Sequence, residues 1–75
     1  MVAWMNFSDA LEHLKRGGKV SRSGWNGKGM WLAIQRPDAQ SKMSLPYIYV
    51  STVKGNLVPW IPGQVDIFAD DWEEC

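Results

Sequence analysis

One cysteine and one histidine in 75 residues leave little room for redox or metal chemistry. Cys75 has no intramolecular partner, and His13 has no companion at ligand spacing, so neither a disulfide framework nor a metal site is expected. Net charge is also missing: eight Lys and Arg balance eight Asp and Glu. General DNA or RNA binding needs a clearly basic face, so no nucleic-acid partner is expected. The apolar runs fall far short of the roughly 20 residues that cross a bilayer, and "MVAWMNF" lacks the basic and hydrophobic regions of a signal peptide. The expectation is a protein of a reducing cytoplasm with no membrane partner. Repeats, low-complexity tracts and linkers are absent, which predicts one domain over residues 1–75.

A catalytic set is missing as well. Ser, His and Asp all occur, but no nucleophile-elbow sequence accompanies them. Asp66, Asp70 and Asp71 sit in an acidic tail, where exposure and capping explain them more simply than acid–base pairing. His13 falls off the centre of the apolar stripe described below and reads as solvated. No catalytic residue, and no cofactor, is expected.

Large side chains are abundant instead. The hydrophobic fraction is 45%, with five Trp, four Met, two Phe and two Tyr. A chain this short buries only about 60% of its unfolded surface, so this aromatic load points outward, to self-association or a ligand. The neutral total also hides an asymmetry. Residues 13–28 carry Lys15, Arg16, Lys19, Arg22 and Lys28 with no acid, while residues 66–74 carry Asp66, Asp70, Asp71, Glu73 and Glu74 with no base. The acidic end is then either the spatial neighbour of the basic segment or a solvated edge.

Periodicity predicts the elements. Phe7, Ala10, Leu11 and Leu14 form one apolar helical stripe, with Asn6 as N-cap, Asp9 at N3 and "GG" at 17–18 as the exit. A short strand follows, with Val20 and Arg22 on one face and Ser21 on the other. Met30 to Gln35 is a second strand, "RPDAQSKMS" a loop, and the alternation from Tyr47 to Val53 a third strand. "KGN" reads as a hairpin turn, and "LVP" as a fourth strand confined to an edge by its prolines. In the tail, helical spacing of Val65, Phe68, Ala69 and Trp72 competes with alternation from Val65 through Ile67. A helical turn over Gln64 to Ala69 and a short strand at Trp72 complete an α+β fold: a short N-terminal helix on a small, mostly antiparallel sheet, with a short C-terminal helical turn.

"SGWNGKGMW" draws attention for chemistry. It matches neither phosphate-loop spacing. Still, Gly24, Gly27 and Gly29 allow positive φ and close backbone approach, bare amides can form an anion nest, Lys28 supplies charge, Trp25 a stacking face and Asn26 a base- or ribose-edge partner. A β-hairpin with an "NG" turn explains the same residues. "VPWIPGQVD" poses the same choice: prolines around Trp60 and Ile61 suit a preformed platform or a rigid edge, with Gln64 and Asp66 as possible polar contacts.

Together, "MNFSDALEHLKRGGKVSRSGWNGKGMWL" and "LVPWIPGQVDIFADDW" resemble the phage and prophage family of Thoeris anti-defence proteins of the second type, over most of the chain. The resemblance implies a sponge: a homotetramer that sequesters cyclic ADP-ribose isomers such as glycocyclic ADP-ribose, made by bacterial TIR-domain sensors, without cleaving them. Some relatives also capture CBASS cyclic dinucleotides. By the same resemblance Trp25, Asn26, Gly27, Lys28, Gly29 and Met30 match the family's loop, and Trp60, Gln64, Asp66, Asp71 and Trp72 its C-terminal motif. The roles implied are adenine stacking for Trp25, diphosphate binding for Lys28 and the loop amides, and ribose or base contacts for Asn26 and Asp66. Phe7, Ala10, Leu11, Leu14 and Trp72 are assigned to the core, and Trp4 and Trp31 to a subunit interface. "RPDAQSKMS" is shorter than the corresponding segment of many family members, which implies a narrower or different ligand set. A protein-interaction inhibitor of a host factor is the alternative from another class.

Overall fold

The computed structural model describes residues 4–25 and 29–75. Helix α1 spans Phe7–Lys15, and the side chain of Asn6 accepts the amide N–H of Asp9 at 2.9 Å. That bond satisfies one of the N–H groups a helix start leaves unpaired. Gly17 leaves the helix at φ 95°, the left-handed conformation that costs glycine least. Gly18 answers a different need: a Cβ there would overlap the imidazole of His13.

Five strands follow as one antiparallel sheet: β1 (Val20–Arg22), β2 (Trp31–Gln35), β3 (Tyr47–Ser51), β4 (Leu57–Pro59) and β5 (Trp72–Glu74), in the order β4-β3-β2-β1-β5. Between β4 and β5 lies the short helix α2 (Gln64–Phe68). The α+β architecture read from the sequence is therefore the observed one. Its strands end slightly earlier than the alternation suggests. β3 stops at Ser51 because Thr52 opens the turn: it pairs with Asn56 at 2.8 Å, and Gly55 takes φ 86°. β2 starts at Trp31, after Met30. β4 does lie at an edge, as its proline requires.

The two faces of the sheet differ. Pairing places Val20, Leu32, Val50 and Trp72 toward α1, where Ala10 and Leu14 complete a buried core. Phe7 and Leu11 pack at its margin, as the helical stripe predicts. The other face carries Trp31, Ala33, Tyr49 and Ser51. There Trp31 meets Tyr49 edge-on, with ring centroids 5.9 Å apart, and Lys19 Nζ sits 4.1 Å from the Trp31 ring.

Trp72 is the largest fully buried side chain. It belongs to the last strand, yet it bonds the first residues: Met5 N–H donates to Trp72 O at 2.8 Å, and Trp72 N–H to Met5 O at 3.0 Å. Removing its indole would empty the centre of a small core, at a cost of about 3–5 kcal/mol. For a domain of this size that corresponds to a Tm lower by at least about 15 °C. Thermal unfolding of Trp72→Ala by circular dichroism checks this; a Tm within about 5 °C of the parent would contradict it.

Candidate functional site

The buried indole of Trp72 organises the aromatic residues around it. Phe7 lies 5.5 Å from it in a tilted arrangement, while Trp25 (5.4 Å, 80°) and Trp60 (6.0 Å, 87°) both meet it edge-to-face. Phe7 and Trp60 are also 6.0 Å apart. Trp25 and Trp60 are half-buried, so each is fixed from within and keeps surface facing outward. Trp60 is placed by its own N–H, which donates to Ile48 O at 2.9 Å and carries the β4 pairing one residue past Pro59.

Trp25 is held by charge. Arg22 ends β1 on the core-facing side, the side it shares with Val20, and its guanidinium cannot stay there unpaired. Its Nη1 donates to Asp66 Oδ1 at 2.7 Å and its Nε to Asp71 Oδ1 at 2.8 Å. The same Asp66 Oδ1 accepts the Trp25 indole N–H at 3.2 Å, and Asp71 Oδ2 accepts the Gly24 amide at 2.9 Å and the Ser23 hydroxyl at 3.2 Å. The indole N–H of Trp72 donates to the Asp66 carbonyl at 3.0 Å. Side-chain exposure is 15% for Arg22, 22% for Asp66 and 28% for Asp71, so these pairs are shielded better than surface ion pairs.

This corrects the reading of Asp66 and Asp71 as solvated tail residues: both are half-buried partners of the basic segment, and only Asp70 is exposed. His13 also differs from the solvated residue expected. It is half-buried, with Nδ1 3.3 Å from Glu74 Oε1, a second link between the basic segment and the acidic end. Gly24 turns out to serve close approach alone. Its φ is not positive, but a Cβ there would come 3.0 Å from Asp71 Oδ2 and 3.2 Å from Arg22 Nη2. Gly29 does take positive φ, at 84°.

Of the residues predicted for the site, the fold brings Trp25, Trp60 and Asp66 together around Trp72. Gln64 is exposed at the start of α2, and Met30 packs against the core margin. Asn26, Gly27 and Lys28 lie outside the described residues. Arg22 and Ser23 escaped the sequence reading, although the signal for Arg22 was present: a cation alternating in phase with buried Val20 needs a partner, and the acidic tail is the obvious source. Among the described residues, no group of three or more His, Cys, Asp or Glu is placed to hold a metal ion, and no helix is long and apolar enough to cross a membrane.

The cluster carries a pH signature. For Asp66, burial is the largest single influence and favours the neutral form, but hydrogen bonds from Arg22 and Trp25 outweigh it and hold the carboxyl below its usual range. For Asp71 the hydrogen bond from Arg22 dominates, opposed by burial and reinforced by Gly24 and Ser23, and its pKa is also lowered. Depressed folded-state values stabilise the fold fully above the unfolded carboxylate pKa of about 3.9, and that stabilisation is lost as pH falls from there through the folded values. Urea unfolding across the acid range should show a steeper loss in the parent than in Asp71→Asn. Parallel profiles would show that the pair contributes nothing to acid stability.

Comparisons with known proteins give the family. Thoeris anti-defense 2 of Bacillus phage SP01 is 37% identical over 86 residues, covering 97% of each chain. That alignment is longer than the 75 residues present here, so the phage protein carries additional residues. The profile described as a Thoeris anti-defense 2-like domain matches residues 5–75, from the β-bridge residue Met5 through all five strands. The chain belongs to the Thoeris anti-defense 2-like family.

Proposed function

We propose that this protein counters Thoeris defence by binding a cyclic ADP-ribose isomer, such as glycocyclic ADP-ribose, and holding it uncleaved. The family is a non-catalytic one, and the similarity to the phage protein supports the anti-Thoeris role. The observation that carries the ligand reading is the pair of half-buried tryptophans. Trp25 and Trp60 are both braced edge-on against Trp72 and retain outward surface, which makes them rigid stacking elements for a purine. A ring already fixed by neighbours loses little freedom on binding.

Local charge constrains the ligand's orientation. One guanidinium faces two carboxylates at Arg22, Asp66 and Asp71, leaving this cluster with an excess negative charge. A diphosphate is repelled there, whereas ribose hydroxyls are tolerated. The phosphates therefore sit away from Asp66, with Lys28 and Asn26 of the loop, or another subunit, as their partners in this proposal. Gly29 and Met30 end that loop, and Gln64 stands at the α2 side.

A homotetramer, with sites completed between subunits, suits the remaining surface. Ile61, Val65 and Phe68 are 88%, 76% and 83% exposed around α2, next to the candidate site. Apolar groups so exposed mark a contact surface. A groove of about 380 Å³ does exist within one chain, but it lies between Leu11, Lys15, Ile34 and Tyr47 and not beside Trp25. Trp4, also exposed, and Trp31 on the uncovered sheet face are the further interface residues of this proposal. Capture of cyclic dinucleotides is an extension that the assay below reads when a cyclic dinucleotide replaces the ligand.

The test is to mix purified protein with glycocyclic ADP-ribose, remove free ligand, and heat. Intact ligand released on denaturation is expected. A cleaved product would make the protein an enzyme, and ligand free throughout would favour a protein-interaction inhibitor. Trp25→Ala should weaken binding by about 10- to 100-fold, the worth of one stacked base, and unchanged affinity in the folded variant would remove Trp25 from the site. Sedimentation at micromolar concentration should give a tetramer mass; a monomer would defeat the intersubunit site.

A further inference from the structure

Arg22 does more than pair with two acids. Its fork reaches two segments that approach from different parts of the chain: Asp66 in α2, and Asp71 just before β5. Each carboxylate then passes the constraint to the segment that follows Arg22. Asp66 Oδ1 receives the Trp25 indole N–H on the same oxygen that receives Nη1 of Arg22. Asp71 Oδ2 receives the Gly24 amide and the Ser23 hydroxyl. The Trp25 amide closes the circuit by donating to the Arg22 carbonyl at 3.2 Å.

We propose that Arg22 is a positioning residue for the ligand face: by holding Asp66 and Asp71 at once, it aims their oxygens at Trp25 and Gly24 and so presets the stacking ring. It touches no ligand itself. The role needs a guanidinium, because its planar fork holds the N–H donors to both carboxylates in fixed directions; an ammonium has three donors, but its flexible stem does not fix them in that geometry. The absence of a side chain at Gly24 belongs to the same device, since a Cβ would press on both Asp71 Oδ2 and Arg22 Nη2. Asp66 is assigned accordingly: its Oδ1 orients Trp25.

The proposal rests on the reading of this face as the ligand site, but one arm of its test does not. In ¹⁵N-labelled protein each of the five tryptophans gives one indole N–H resonance, and Trp25→Phe identifies that of Trp25. Arg22→Lys should move the Trp25 resonance and weaken glycocyclic ADP-ribose binding on the order of tenfold, as loss of a charge-assisted hydrogen bond would. Val50→Ala, a core change outside the cluster, should lower Tm while leaving that resonance and the affinity in place. Should Arg22→Lys fail to fold, Asp71→Asn releases one arm of the fork and should give the same two effects in smaller degree. A Trp25 resonance that stays put in the folded variant, or an equal loss of affinity in Val50→Ala, would overturn the proposal. If the parent protein binds no glycocyclic ADP-ribose, the sponge reading fails, and the resonance alone decides whether Arg22 positions Trp25.

Discussion

The structure depends on burying the Trp72 indole. In a small chain one large side chain contributes a considerable share of the apolar area removed from water. Here it also joins elements distant in sequence. Its backbone bonds Met5 on one side and pairs with Arg22 on the other, its ring supports Phe7, Trp25 and Trp60, and its N–H fixes α2 through the Asp66 carbonyl. Core and candidate site are thus two sides of one residue. Much of the aromatic load that looks excessive for so small a chain is used in this cluster, while Ile61, Val65 and Phe68 remain exposed.

Charge completes what packing begins. The neutral total is divided between a basic stretch and an acidic one, and the fold brings them together at Arg22 with Asp66 and Asp71, while His13 Nδ1 lies 3.3 Å from Glu74 Oε1. Both contacts join β1 or the helix before it to the segment that ends in β5. The β1–β5 pairing and the buried face set the register; the guanidinium fork, with directional donors, adds geometric specificity at the end of β1.

The secondary structure was legible because local signals agreed with the tertiary result. The Asn6 cap, the stripe of Phe7, Ala10, Leu11 and Leu14, the Gly17 exit and the proline-limited β4 each have a short-range cause. The turn at Gln64–Phe68 and the strand at Trp72 are observed too, although the tail carries competing helical and alternating signals and α2 buries no residue. The ion pairs were not legible in that way. Arg22 and Asp71 are 49 positions apart, and nothing in the spacing of an acidic tail distinguishes exposed Asp70 from its paired neighbours. That difference comes from the direction in which the chain enters β5. Gly24 illustrates the same limit: its lack of a side chain looks like backbone freedom in the sequence, but in the fold it is space for a carboxylate from the far end of the chain.

The strand order has a consequence for how the protein is made. Because β5 pairs with β1 and not with its predecessor in sequence, α1 and the first four strands can be synthesised without the indole that fills their centre. Until Trp72 is added, Phe7, Trp25 and Trp60 lack their common support. A chain ending before β5 would lack the residue on which the aromatic platform is braced.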